Sequence, residues 1–220
     1  MRKIIILSLV AAFAVAGCRK KIETVSTLVT VSYPIITISG SPYVSIPVGG
    51  AFTPPSATAF DTFYKERPTV VTNLGTLDNT TPGLYTVTYS AKNHYGFVGT
   101  AVVYVAVTNI TDSLDLTGTY VRSAKPTMVA FVTKLAKGLF MTSNVGGVDT
   151  VASASAVVPA VFAVINPTTL DFGSQPTTAG TLTAAGEVLS LAPADTTLTY
   201  VITDPSSVFS TTAVRVLVKQ

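Results

Sequence analysis

Between Asp78 and Val107 the chain switches between dense turn signals and residues that alternate with a period of two. Asp78-Asn79-Thr80-Thr81-Pro82-Gly83 is a turn cluster. After it, Tyr85, Val87 and Tyr89 point one way and Leu84, Thr86 and Thr88 the other, which is strand periodicity. Asn93-His94-Tyr95-Gly96 reads as a hairpin turn, and Thr100–Val107 as its partner strand, with Ala101, Val103, Val105 and Val107 on one face. No stretch of the chain gives an amphipathic helix of three turns. The pattern therefore predicts an all-β protein.

The start of the chain has different chemistry. Arg2 and Lys3 precede an apolar run from Ile4 to Val15, too short to span a bilayer and shaped like a secretory signal. It ends in Val15-Ala16-Gly17-Cys18, which resembles the lipobox of bacterial lipoproteins. That resemblance implies cleavage before Cys18 and lipidation of its sulfur. Cys18 is the single cysteine, so disulfides cannot hold the fold together and stability must come from buried apolar area.

Charged residues make up 11% of the chain and hydrophobic ones 48%. The usual charged share is about 25%. The difference is taken up by Thr, Ser, Val and Ala, a composition suited to strands. The formal net charge is +3, but Arg2, Lys3, Arg19, Lys20 and Lys21 all fall in the first 21 residues. The remainder is net negative, which removes the basic footprint that nucleic-acid binding requires.

The expected organisation is a signal peptide at 1–17, a lipidated tether at 18–32, a β-sandwich at 33–108, a short polar connector at 109–116 and a second all-β domain at 117–220. Within the first of these β regions, Tyr43–Pro47, Ser56–Phe60, Thr69–Thr72, Leu84–Ser90 and Thr100–Val107 read as strands. This region resembles the immunoglobulin-like domain of bacterial surface proteins. The resemblance rests on Pro34-Ile35-Ile36, on Tyr43 to Gly49, on Ala57 to Asp61, and most strongly on Thr80 to Ala91. It implies that Tyr85 packs at the corner between sheets. The family's usual Asp-Gly turn after the position of Asp61 is replaced here by Thr62-Phe63-Tyr64-Lys65-Glu66-Arg67-Pro68, bulkier, aromatic and charged.

In the second region, Gly118–Arg122, Met128–Lys134, Gly138–Ser143, Val157–Ile165, Thr168–Phe172, Glu187–Leu191, Leu198–Thr203 and Thr212–Lys219 read as strands between Gly, Asn-Pro and Asp-Pro turns. Their order predicts an antiparallel meander, closed or half-closed as a barrel. On Gly118-Thr119-Tyr120, Gly138-Leu139-Phe140 and Arg215–Gln220, this half resembles the C-terminal domain of gut-bacterial lipoproteins encoded beside glycan-uptake genes.

Catalytic equipment is sparse. His94 is the only histidine and sits in a turn, where a solvated polar residue is the ordinary expectation. No Gly-x-Ser-x-Gly elbow is present, and the ligands for a zinc site are lacking. Asp112 and Asp115 flank Ser113 in the connector, but calcium needs about six oxygen ligands and few carboxylates lie there. Acids between Gly138 and Tyr200 are few and lie at turns or strand ends. No cofactor and no metal are expected.

A sugar site is the remaining candidate. Such sites stack aromatic faces on the C–H surface of the ring and fix its hydroxyls with polar groups. Tryptophan is absent. The loop from Phe60 to Arg67 combines Phe63 and Tyr64 with Lys65, Glu66 and Arg67, and conspicuous loops are where function concentrates. Phe63, Tyr64, Lys65, Arg67 and Tyr95 are therefore the candidate ligand residues, with Tyr120 and Phe140 as further aromatics. The expected role is a non-catalytic, lipid-anchored envelope protein, held at the outer membrane, that binds or presents glycan for polysaccharide uptake. The alternative is a structural or adhesive lipoprotein that contacts an envelope protein and uses the sandwich as a spacer.

Overall fold

The computed structural model describes residues 30–123, 125–192, 195–203, 209 and 213–220. Cys18, the signal, most of the tether and the Asp204-Pro205 turn lie outside the described residues.

Six strands build two sheets in the first half. They are β1 (Ile35–Ile38), β2 (Tyr43–Ile46), β3 (Ala57–Phe60), β4 (Val70–Asn73), β5 (Gly83–Lys92) and β6 (Val98–Val107). β1 pairs with β3, and the other four run in the order β2-β6-β5-β4, with β2 parallel to β6. The period-two reading holds: Val87 and Tyr89 of β5 and Val103, Val105 and Val107 of β6 form the core, with Ile36 and Ile38 of β1 packed on it. The corner expected at Tyr85 is present, since its hydroxyl donates to the Thr81 carbonyl at 3.0 Å. Gly99 permits the close packing of β1 against β6. A Cβ at this position would collide with the carbonyl of Pro34.

Nine strands follow: β7 (Gly118–Arg122), β8 (Lys125–Ala136), β9 (Leu139–Thr142), β10 (Ala160–Asn166), β11 (Thr169–Asp171), β12 (Gln175–Thr177), β13 (Gly180–Leu191), β14 (Thr196–Thr203) and β15 (Val214–Lys219). The only helix among the described residues is a 3-10 turn at Ala154–Ala156. The nine strands form one sheet in the order β11-β10-β9-β8-β7-β15-β14-β13-β12. Two meanders are thus zipped together by the pairing of β7 with β15.

The sheet curls until its ends approach. The Leu189 N–H of β13 donates to the Thr168 carbonyl beside β11 at 2.9 Å. Side chains complete this seam. Glu187 accepts from the Phe172 N–H at 2.9 Å. The Gln175 amide both donates to the Val161 carbonyl and accepts from the Val161 N–H, so a side chain occupies the place of a missing strand on β10. Gly186, at φ 64°, forms the bulge that bends β13 towards the seam. Inside, Phe140, Phe162, Phe172 and Tyr200 make a continuous aromatic file with centroid spacings of 5.7, 5.4 and 4.7 Å. Tyr120 and Phe140 are each 0% exposed, so these two are core residues and the sequence expectation of a ligand role for them is corrected. The Tyr120 hydroxyl donates to the Leu116 carbonyl four residues upstream, repeating the Tyr85 corner.

The two sheet systems share an apolar contact. Leu84 and Ala106, on the outer face of β5 and β6, pack with Leu139, Val161 and Ala163 of β9 and β10. β10 is therefore covered on both faces, which explains its unbroken apolar sequence Ala160–Ile165. Asp171 ties the contact together. One oxygen accepts from the Leu84 N–H at 2.7 Å, and the other from the Gly173 N–H at 2.7 Å. The segment 109–116 is less polar in place than in sequence: Leu116 is buried, and Ile110 and Leu114 pack on the same core. By contacts, Ser32–Gln220 is one compact unit.

Candidate functional site

The loop between β3 and β4 and the turn between β5 and β6 meet around one carboxylate. Asp61 is 0% exposed. Its Oδ1 accepts from Ser32 Oγ at 2.7 Å and from the N–H groups of Phe63 and Tyr64 at 3.0 and 3.1 Å. Its Oδ2 accepts from Asn93 Nδ2 at 2.9 Å. Burial acts to raise the Asp61 pKa, but the bonds from Asn93, Ser32, Tyr64 and Phe63 outweigh it and hold the pKa at about 2. Asn93 is the matching hub of the turn, its Oδ1 accepting from the N–H groups of Tyr95 and Phe97. Asp61 and Asn93 together fix the backbone from which the aromatic side chains project.

The rings gather on that frame. Tyr64 is central, with Phe63 at 4.9 Å, Tyr95 at 4.7 Å and the His94 ring at 4.9 Å between centroids. His94 and Tyr95 lie 3.9 Å apart. Phe63 is 57% and Tyr95 48% exposed, so two aromatic surfaces face solvent around a half-buried tyrosine. Glu66 supplies the polar component. Its Oε2 lies 2.9 Å from His94 Nδ1, and its Oε1 accepts from the His94 N–H at 3.2 Å. The Tyr64 hydroxyl has its pKa raised by burial first, then by Tyr95, Asp61 and Glu66, so it remains a hydrogen-bond donor at neutral pH.

Of the five sequence candidates, the structure brings Phe63, Tyr64 and Tyr95 together. Lys65 occupies the exposed loop tip with φ 58°. Arg67 stacks its guanidinium over the Phe60 ring at 5.1 Å, on the β1–β3 sheet. Sequence reasoning left His94 as a solvated turn residue and gave Asp61 no role. The Asp61-Thr62-Phe63 spacing, in which a carboxylate caps the N–H two residues on, was the available signal for Asp61. The connector acids are engaged locally: Asp112 pairs with Lys134 at 3.0 Å and Asp115 accepts from the Thr117 N–H. A separate cleft of about 430 Å³ lies between Tyr43, Tyr104, Met141, Pro159, Gln175 and Pro176, and it is mostly apolar.

Residues 36–107 match the family model of the bacterial surface protein Ig-like domain. The match spans 72 of the 220 residues and agrees with the two-sheet, six-strand fold of that stretch. No curated protein matches the chain. Among solved structures it is similar to the lipoprotein BT2262 from Bacteroides thetaiotaomicron, with 20% identity and a TM-score of 0.38 over 85% of this chain and 100% of that one.

Proposed function

We propose that this is a non-catalytic lipoprotein of the cell envelope, anchored through Cys18, that binds or presents glycan through Phe63, Tyr64 and Tyr95 as an accessory to polysaccharide uptake. The exposed ring cluster carries this reading. Phe63 and Tyr95 offer aromatic surface to the C–H face of a sugar, while Glu66, Lys65 and the Tyr64 hydroxyl are polar groups in the same two loops. The Asp61–Asn93 frame supports it by holding the rings in place before any ligand arrives. Titration calorimetry of the mature chain against envelope and dietary polysaccharides tests it. Binding that is lost in Phe63→Ala and Tyr64→Ala, with thermal unfolding intact, is the expected result. Equal binding by parent and variants, or none by the parent, overturns it.

A spacer role is the second reading, and the contact around Leu84, Ala106, Leu139 and Val161 favours it. A sandwich joined to the curled sheet by apolar packing and the Asp171 bonds transmits orientation as a stiff element does. Capture of a defined envelope protein by the curled sheet, with no glycan response, is the outcome that selects it.

A further inference from the structure

One end of the outer face of the β1–β3 sheet is apolar where a solvated strand is ordinarily polar, while the Thr37–Thr58 pair makes the other end polar. Along 33–37, Pro34 and Ile36 turn inward while Tyr33 and Ile35 turn outward, at 58% and 59% exposure. Ile35 lies directly opposite Phe60 on β3, so these two side chains share the outward face. Arg67 covers Phe60 at 5.1 Å, and the Tyr33 and Phe97 rings meet edge to face with centroids 5.7 Å apart. Tyr33, Ile35, Phe60 and Arg67 thus supply two aromatics, an aliphatic and a cation, the mixture that sits at headgroup level in bilayers.

The chain itself supplies the occupant. Ser32, where the compact unit begins, is fixed by Asp61 and Asn93. Thirteen residues, 19–31, separate Cys18 from Ser32, a reach of at most about 50 Å when fully extended. The first three are Arg19, Lys20 and Lys21, which are drawn to anionic headgroups. The β1–β3 face therefore begins one residue beyond the end of the tether. A weak surface contact made at that range becomes intramolecular once the lipid is inserted, and it adds to an anchor without needing affinity of its own.

We infer that the β1–β3 face docks on the anionic phospholipid surface carrying the Cys18 lipid, with Tyr33, Ile35 and Phe60 at headgroup level and Arg67 against phosphate. This rests on the lipid-anchor reading and is independent of the sugar reading, whose rings are Phe63, Tyr64 and Tyr95. Docking would fix how the body stands on the membrane.

The composition of the chain allows a clean test, because it has one cysteine and no tryptophan. The mature chain, coupled through the Cys18 thiol to a maleimide lipid in phosphatidylglycerol-containing vesicles, is anchored whether or not cells lipidate it. In this setting Tyr33→Trp introduces the single indole. Its emission is expected to shift to the blue and to be quenched by brominated lipid, with both effects lost when Ile35→Ser and Arg67→Gln are added. Val188→Trp, an exposed site on β13, is expected to do neither. The inference is overturned if the Tyr33→Trp emission matches that of the uncoupled chain, if Val188→Trp responds equally, or if the indole responds to soluble polysaccharide and not to vesicles. Failure of natural lipidation is read separately, by palmitate incorporation in cells.

Discussion

Replacing Gln175 with Met should open the seam of the curled sheet. Met keeps the length and apolar stem of Gln but has no amide. Gln175 is 1% exposed, and its Nε2 donates at 2.6 Å to each of the Val161 and Phe172 carbonyls while its Oε1 accepts from the Val161 N–H at 2.9 Å. The substitution leaves three buried backbone groups without their partner. Each costs about 1–3 kcal/mol, and partial relaxation brings the expected loss to roughly 3–5 kcal/mol. With a urea slope of about 2–3 kcal/mol/M for a unit of this size, the midpoint should fall by about 1–2 M. Thr177→Val, which removes an exposed bond to the Gly180 carbonyl and a half-buried one from the Ala179 N–H, should cost far less, about 1 kcal/mol. Urea unfolding followed by circular dichroism gives the totals. Amide exchange locates the effect, since Val161 should lose protection before the β5–β6 pair does. A midpoint lowered by less than about 0.5 M, with Val161 still protected, would refute the claim that this side chain stands in for a strand.

Three further outcomes are expected. The Asp61 carboxyl, held at about 2, lies below the unfolded value of about 3.9, so its stabilisation of the loop is complete above about pH 4 and is lost as pH falls through about 2; protection of the Phe63 and Tyr64 amides, measured against the intrinsic exchange rate at each pH, should follow that curve and be absent at every pH in Asp61→Ala. Burial, opposed by the Phe172 N–H and reinforced by Asp171, raises the Glu187 pKa, so the charged form is penalised at neutral pH and relieved as pH falls through the raised value; Glu187→Gln keeps an acceptor and should unfold at an equal or higher urea concentration at neutral pH, the advantage disappearing in acid. Gly99→Ala should cost about 1–3 kcal/mol through collision with the Pro34 carbonyl, which a calorimetric melt would register as roughly 3–10 °C.

The parts legible in the sequence were those where burial on one face alone wrote a period-two pattern. β5 and β6 stand where Tyr85, Val87 and Tyr89 predicted them, and the Asn93–Gly96 turn joins them. β12 and the first half of β13 gave no such pattern, because Gly180-Thr181-Leu182-Thr183-Ala184-Ala185 offers little contrast between faces. β1 escaped for the opposite reason: Ile35 and Ile36 are both apolar, although only Ile36 packs on the sandwich core. The apolar residues of segment 109–116 were outweighed on the page by their polar neighbours, yet Leu116 is in the core.

The candidate site was half legible. Phe63 and Tyr64 stood out as bulky residues in a loop, and Tyr95 as an aromatic in a turn. Their convergence depends on Asp61 and Asn93, thirty-two residues apart, and on the Glu66–His94 pair, which no local pattern could connect. Arg67 was grouped with the rings by sequence neighbourhood, whereas its guanidinium lies over Phe60, across the loop that joins β3 to β4.

The account depends most on its address at the membrane. In cells fed labelled palmitate, the parent chain should take up label and sediment with envelope membranes, whereas Cys18→Ser should remain unlabelled and stay soluble. An unlabelled parent, or a Cys18→Ser chain that still sediments with membranes, would contradict the account.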